Sequence, residues 1–415
     1  MSRLRQVLGL DGAKPSDLRA FAERTGIPLA RLRIYLDQEI LPPSPDLETL
    51  CASAGISTTA VKLALGKIDR EVATRLANKY AQIAEMIDEP KSTPSCKQPL
   101  VFTPEFETQL GRVFRGDCVQ VMKALQAESV DMVFADPPFN LNKLYPSRMD
   151  DDLREGEYLD WTEEWLTQCV RLLRPGGALL VWNIPKWSSH IAAFLNRSLS
   201  FRHWIAVDIK YSLPISGRLY PSHYSLLYFT KGAPKTFHPD RLPMEICPHC
   251  YGDLRDYGGY KDKMNPKGVN MSDVWFDIPP VRHAKYKRRK DANELSLRLM
   301  DRVVEMGSDP GDIVLDPFAG SGTTLIASEL KQRRWIGIEL GPIEGIVDRL
   351  QNTEEEEAHL SKIRADYNTL FTARSRHYRE KLGLWTCESV RTQDVPLSEQ
   401  ASLQLDTSSN TVVDH

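Results

Sequence analysis

The 415-residue sequence predicts an α/β protein, a doubly wound and mostly parallel sheet, preceded by a small all-α domain. Three observations lead there. Residues 1–88 carry helical periodicity throughout. From 107 to about 350, short apolar β-rich runs alternate with amphipathic helical stretches. Between the two textures stands DEPKSTPSCKQP at 88–99, rich in Pro, Ser and Lys, which marks a linker over 89–106.

In chain order, the first helix starts at Ser16, with Asp17 in its first turn and Leu18, Phe21 and Ala22 on one face. Gly26 and Pro28 break it, and a second helix runs over 30–37. LPPSPD at 41–46 reads as a loop, followed by short helices at 47–54 and 58–65. In the α/β region, strands are expected at 111–115 and 130–135 with a helix at 119–125 between them. A helix over 159–173 stops at RPGG, 174–177, before the strand ALLVW at 178–182. Further strands are expected at 204–209, 224–229, 313–315 and 335–338. Residues 233–290 interrupt this rhythm, 351–387 read as a charged helical extension, and a polar tail from 388 reads as disordered.

Composition excludes several classes. With 53 Lys and Arg against 56 Asp and Glu, the chain is no uniformly basic nucleic-acid coat. No apolar run approaches the roughly 20 residues that span a bilayer, and MSRLRQVLGLDGAKPSD has no secretory apolar core. Seven cysteines, an odd number, fit reduced thiols and a cytoplasmic location.

Two motifs carry chemistry. In IVLDPFAGSGTT, 313–324, an apolar strand ends at Asp316 and a glycine turn opens a helix near Thr323. Gly320 and Gly322 let backbone pass close to a ligand, as in nucleotide sites, although the G-x-G-x-x-G spacing is absent. The next strand, RWIGIEL, ends at Glu339, which either accepts hydrogen bonds from ribose hydroxyls, caps a helix, or is simply exposed. The second motif is VDMVFADPPFN, 130–140. Its strand delivers Asp136 to the sheet's carboxyl edge, and Pro137 and Pro138 remove two N–H donors while leaving carbonyl acceptors. Phe139 then adds a flat apolar surface. Such a set suits a planar base whose exocyclic amino group donates to Asp136 and the Pro137 carbonyl while the ring stacks on Phe139.

DPPF followed by DPFAGSGTT resembles the amino-directed DNA methyltransferases that use S-adenosylmethionine, in the permuted β group where the catalytic motif precedes the cofactor motif. GDC at 116–118, RPGGALLVW, the 224–230 strand with Lys231-Gly232, and DPGDIVLDPFAGSGTT ending in WIGIEL fall where that family has its conserved blocks. The resemblance covers residues 107–350 and implies a Rossmann-like methyltransferase sheet. It also implies S-adenosylmethionine at Asp117, Asp136, Asp316, Phe318, Ala319, Gly320, Ser321, Gly322, Thr323 and Glu339, and catalysis by Asp136, Pro137, Pro138 and Phe139 on a flipped base. Asp before the two prolines is typical of adenine-N6 enzymes, whereas Ser points to cytosine-N4. One departure is DANELS, 291–296, where the family often carries a His-Pro-Thr-Gln-Lys-Pro-like segment lining the methionine end of the pocket. Its role is expected to persist.

Target recognition is expected in 233–290, with 12 Lys and Arg against 7 Asp and Glu and the cluster KYKRRK at 285–290. The acidic run at 354–357 lies away from the motifs in sequence. Cys247 and Cys250 have zinc-knuckle spacing but no partner pair, and His238, His249 and His283 are poorly spaced as further ligands, so a reduced pair is favoured over zinc. The N-terminal domain resembles a helix-turn-helix module. Ala22 and Gly26 stand at the packing and turn positions, Ile27 and Leu32 point inward, and Arg31, Arg33 and Tyr35 point outward. The resulting expectation is an adenine-N6 DNA methylase acting on double-stranded DNA, without a membrane partner. A cognate restriction endonuclease and a homodimer are open alternatives, as are cytosine-N4 methylation and a non-catalytic DNA-binding regulator.

Overall fold

The computed structural model describes residues 2–38, 40–87, 102–141, 152–208, 222–244, 254–256, 258–263, 268–278 and 294–371, with single positions at 217, 219, 249, 265, 373, 376, 377 and 381. The chain divides into two compact units, residues 1–98 and 99–415.

Among the described residues the first unit is all-helical: α1 (Arg3–Val7), α2 (Pro15–Thr25), α3 (Leu29–Gln38), α4 (Ser44–Ala54), α5 (Thr58–Ala64), α6 (Arg70–Asn78) and α7 (Tyr80–Ile87). Pro15 opens α2, where its missing N–H costs nothing, and the Asp17 carboxylate accepts the Lys14 N–H at 2.9 Å. Gly26 ends the helix at φ +67°, a conformation that other residues adopt at a cost. Phe21, Ala22, Ile27, Leu32 and Leu36 meet Leu47 and Leu50 in one core. Two expectations change. Helix α4 begins at Ser44, inside the segment read as a loop, because Pro45 falls in its tolerant first turn. Tyr35 does not face outward: it is buried, and its hydroxyl donates to Asp46 at 2.7 Å. Arg31 and Arg33 are exposed as expected.

Among the described residues, the second unit is built on a nine-stranded sheet. Its described strands are β1 (Phe106–Glu107), β2 (Gly111–Arg115), β3 (Val130–Ala135), β4 (Leu173–Asn183), β5 (Ser200–Asp208), β6 (His223–Thr230), β7 (Arg241–Leu242), β8 (Val269–Asn270), β9 (Val274–Trp275), β10 (Ile313–Asp316) and β11 (Arg334–Glu339). The sheet order is β1-β2-β11-β10-β3-β4-β6-β5-β9, while β7 and β8 form a separate ribbon. Strands β2, β11, β10, β3 and β4 run parallel; β6 is antiparallel to its neighbours. The helices are α8 (Cys118–Ala124), α9 (Glu155–Leu172), α10 (Pro185–Leu195), α11 (Leu297–Gly307), α12 (Thr323–Leu330), α13 (Glu344–Gln351) and α14 (Thr353–Thr369). All of β3 is buried, because Met132 and Phe134 face the layer of α11 and α12 while Val133 and Ala135 face that of α8 and α9. The doubly wound reading therefore holds. No helix among the described residues is long and apolar enough to cross a membrane.

Several boundaries move. RPGG lies inside β4, which follows α9 directly at Leu173; Gly176 (φ +82°) and Gly177 absorb a register shift against β3. A Cβ on Gly177 would sit 2.9 Å from the Asp131 carbonyl. Residues 102–106 are not linker: Phe102 packs on the core and Phe106 pairs with Val113. The 233–290 segment also rejoins the main sheet, since β9 pairs with β5 and Trp275 is core. Finally, α14 is part of the same domain. Leu360, Arg364 and Tyr367 are buried, and so is Glu356, within the acidic run that the sequence places apart from the motifs. Residues 88–101, 209, 285–290 and 388–415, with Cys247 and Cys250, lie outside the described residues.

Asp301 of α11 joins α12 and α14. Its carboxylate lies 3.0 Å from the Lys331 ammonium and 2.7 Å from the Arg364 guanidinium, all three groups being buried. Burial alone would lift its pKa, but the two cations outweigh burial and hold it at about 2. A carboxyl whose pKa is lowered on folding stabilises the fold above its unfolded value near ~4, and that contribution is lost as pH falls toward 2. Asp301→Ala is expected to cost about 3–5 kcal/mol in urea denaturation at pH 7, because two buried cations lose their shared partner. The difference from wild type should narrow below pH 4, and an unchanged midpoint at pH 7 would contradict the assignment.

Candidate active site

The chain leaves β3 through α9 toward β4 on one side, and leaves β10 through α12 toward β11 on the other. Between β3 and β10 the direction of winding reverses, and a crevice opens at their carboxyl ends, where open α/β sheets bind ligands. Pairing of Val314 with Met132 and Leu315 with Val133 sets the two strands level. Asp131 secures the pairing from the opposite end: its carboxylate accepts the Ile313 N–H at 3.0 Å and the Arg174 guanidinium at 2.6 Å. The two sequence motifs, one after each strand, thus flank the same crevice.

On the β10 side, Asp316 is buried. Its carboxylate accepts the Phe318 N–H at 2.9 Å and a bond from the Thr324 hydroxyl, so it closes the turn from within. Burial pushes its pKa up to about 7, with Glu339 adding to the rise and the two donors opposing it. Gly320 and Gly322 take φ of +57° and +79°. At Gly322 the space is claimed by protein, since a Cβ would meet Ile346 of α13 at 3.0 Å. Ala319 N–H bonds the Ile338 carbonyl at 2.9 Å, which ties the turn to β11. Phe318, Gly320 and Ser321 are half-buried, while Ala319, Gly322 and Thr323 are buried.

Glu339 is neither a helix cap nor exposed. One of its carboxylate oxygens accepts the Gly320 N–H and the other the Gly341 N–H, both at 2.8 Å, so it binds two turns together. Strand β2 pairs with β11 through Arg115 and Glu339, and the Gly116 N–H bonds the Glu339 carbonyl at 2.9 Å. Asp117 therefore stands beside Glu339. It is exposed and caps α8 through the Gln120 N–H at 3.0 Å.

On the β3 side, Asp136 and Pro138 are half-buried and Pro137 is buried. The Pro138 carbonyl accepts the Tyr158 hydroxyl at 2.8 Å, and the Phe139 carbonyl accepts the Trp187 indole N–H at 2.7 Å. Asn140 exchanges two 2.8 Å bonds with the backbone of Leu153. The open stacking face expected of Phe139 is not what its placement offers. The residue is 5% exposed and its ring lies 5.9 Å from the Tyr224 ring, within the apolar layer that also holds Phe134 and Trp182.

Sequence reading missed what holds both turns. Helix α9 sends Tyr158 to Pro138, and Trp161 and Trp165 to the Phe318 ring at centroid distances of 5.8 and 5.2 Å. Positions 158, 161 and 165 share one helical face, so the available signal was an aromatic stripe at i, i+3 and i+7. Asp117, Asp136 and Glu339 together make the carboxyl edge acidic and acceptor-rich. Such an edge suits a ligand that is cationic or that presents hydroxyl and amino donors.

Because the pKa of Asp316 rises on folding, its contribution to stability declines as pH climbs from ~4, where the unfolded carboxyl ionises, to about 7, where the folded one does. Asp316→Asn keeps the acceptor for Phe318 and cannot ionise. Its melting temperature is expected to gain on wild type between pH 5 and pH 8; a constant difference would refute the raised pKa.

Comparisons with known proteins agree with this geometry. Residues 130–344 match the family model described as DNA methylase, of the N6/N4 methyltransferase type. The chain is 42% identical over 383 residues to the type II methyltransferase M.BamHI of Bacillus amyloliquefaciens, covering 92% of this chain and 90% of that one. It is 32% identical over 232 residues to the type II methyltransferase M.HpaI of Haemophilus parainfluenzae, covering 55% and 70%. It is 31% identical over 245 residues to the DNA adenine methyltransferase YhdJ of Escherichia coli (strain K12), covering 57% and 80%. With both motifs at one crevice and nearly the full length shared with a type II methyltransferase, the chain belongs to the N6/N4 DNA methylase family.

Proposed function

We propose that the protein transfers the methyl group of S-adenosylmethionine to the N6 amino group of a flipped adenine in duplex DNA, as the modification enzyme of a restriction–modification system. The carrying observation is the crevice at the winding reversal, with the glycine turn on one side and Asp-Pro-Pro-Phe on the other. The acidic edge fits a cationic adenosyl compound. The 318–323 backbone would hold it, with Glu339 and Asp117 accepting from its hydroxyl and amino groups. When bound, S-adenosylmethionine supplies an electrophilic methyl group.

The chain's own residues deal with the base. An exocyclic amino nitrogen is a weak nucleophile because its lone pair is delocalised into the ring. The Asp136 carboxylate and the Pro137 carbonyl accept hydrogen bonds from its two N–H groups and favour a more tetrahedral nitrogen, which sheds one of these protons along its hydrogen bond to Asp136 as the methyl group is bound. The Pro138 and Phe139 carbonyls are engaged by Tyr158 and Trp187, so those residues fix the turn that presents the acceptors. Much of the rate then comes from positioning. Extraction of the base costs about a few kcal/mol of unstacking.

Asp ahead of the two prolines supports adenine, as does the adenine activity named for YhdJ. Cytosine N4 is the second reading, because it too is an exocyclic amino group whose N–H donors the same carboxylate and carbonyl would accept. In the N-terminal unit, exposed Arg31 and Arg33 on α3, behind the Gly26 turn, support a helix-turn-helix contact with DNA.

Incubation with labelled S-adenosylmethionine and unmodified genomic DNA, followed by nucleoside digestion, tests the reaction. N6-methyladenine is expected; N4-methylcytosine would move the assignment to the second reading, and no transfer would refute both. At saturating S-adenosylmethionine, Asp136→Ala should lose at least about 100-fold in kcat; near wild-type turnover would refute its role. Arg33→Ala should weaken DNA binding and reduce the salt dependence of log K by about one unit; an unchanged slope would argue against a DNA contact through α3.

A further inference from the structure

We infer that Arg349 is a positioning residue for the glycine turn, kept in place by Glu356 of the acidic run, and that this pair sets affinity for S-adenosylmethionine. The inference rests on reading that turn as the cofactor site.

Arg349 lies on α13 and its side chain is 6% exposed. One terminal nitrogen donates to the Ser321 carbonyl at 2.8 Å and to the Thr323 hydroxyl at 3.1 Å. Its Nε donates to Glu356 at 2.7 Å, and Glu294 stands 3.9 Å away. Both carboxylates are as buried as the guanidinium. Both donor contacts to the turn straddle Gly322, and Gly320 immediately precedes them. Two left-handed glycines give this stretch more backbone freedom than any other residue pair would, so its conformation needs an outside hold. Arg349 provides it by fixing the direction of the Ser321 carbonyl.

Simple filling of space does not account for this choice of residue. A guanidinium at the start of α12 faces the positive end of that helix, an unfavourable pairing that an apolar side chain would avoid. Buried ion pairs contribute little net stability compared with apolar replacements, so their distinctive property is directional hold. Glu356 and Glu294 offset the charge and fix the side chain from two further elements, α14 and the segment ahead of α11. Glu294 belongs to the DANELS stretch, and Glu356 to the run that looks solvent-bound in sequence. Arg349 thereby links α13, α14 and the segment ahead of α11 to two residues of the turn, Ser321 and Thr323.

The test uses the full-length chain with Arg349→Met, Arg349→Lys and Glu356→Gln. Calorimetry without DNA gives the Kd for S-adenosylmethionine; steady-state kinetics give kcat and KM for each substrate; thermal melts report folding. Arg349→Met is expected to raise the Kd and the KM for S-adenosylmethionine about tenfold or more. The KM for DNA should stay within about twofold, and kcat at saturating S-adenosylmethionine within about threefold. Lys should restore part of the affinity, Glu356→Gln should lose less than Met does, and adding it to Arg349→Met should cause no further loss. A folded Arg349→Met with wild-type Kd overturns the inference, as does an equal decline in kcat and both affinities that follows lowered melting. If Met does not fold, wild-type Kd in both Arg349→Lys and Glu356→Gln overturns it. A wild type that binds no S-adenosylmethionine overturns the cofactor reading and this inference with it. A wild type that binds while all three variants bind equally overturns this inference alone.

Discussion

The parallel pairing of β3 with β10 joins two stretches of chain whose bonded residues, Asp131 and Ile313, are 182 positions apart. Almost every feature of the site depends on it. Because the chain winds away from these strands in opposite directions, no connection can cover their carboxyl ends, and a crevice is unavoidable there. Neither motif has that environment alone. Asp131 is the staple: a buried carboxylate at the amino end of β3 that binds the first backbone N–H of β10 and is itself paired with Arg174.

The two turns at the crevice are held from both faces of the sheet, by different physics. On the face of α8 and α9, the hold is aromatic: Tyr158 carries a hydroxyl bond to one turn, and Trp161 and Trp165 pack edgewise on the Phe318 ring of the other. One rigid helix thus relates both motifs, which suits a reaction whose rate depends on relative placement of two partners. On the opposite face the hold is ionic and steric, with Ile346 under Gly322 and Arg349 on Ser321 and Thr323. Glu339 completes the frame between strands by bonding two N–H groups from different turns.

Much of this was legible because the strong signals are local. Buried parallel strands read as continuous apolar runs, and a strand that ends in an acidic residue before Pro or Gly announces a turn at a sheet edge. What escaped shares a different cause. Glu356 and Arg364 lie on the buried stripe of α14 with Leu360 and Tyr367, yet charged residues count as solvent-facing in any hydrophobic pattern. Tyr35 looked outward for the same reason, its polar tip being satisfied by Asp46 from another helix. Phe139 was expected open because the chain alone does not show that Tyr224 lies against it. RPGG looked like a terminator, whereas its glycines serve a strand that must bend around Asp131.

The sequence by itself determined the architecture, the family resemblance and the identity of the two turns, since periodicity and turn chemistry are written within a dozen consecutive residues. Tertiary structure alone decided which carboxylates at the crevice are buried in its turns and which stand at the surface. Asp316 and Glu339 are buried with backbone N–H groups of the turns bonded to them, while Asp117 caps α8 at the surface. It also decided that an acidic run beyond the motifs reaches back to the glycine turn through Arg349. The reason is physical: the state and partner of a buried charge depend on groups brought near it by the fold, and those groups are remote in sequence.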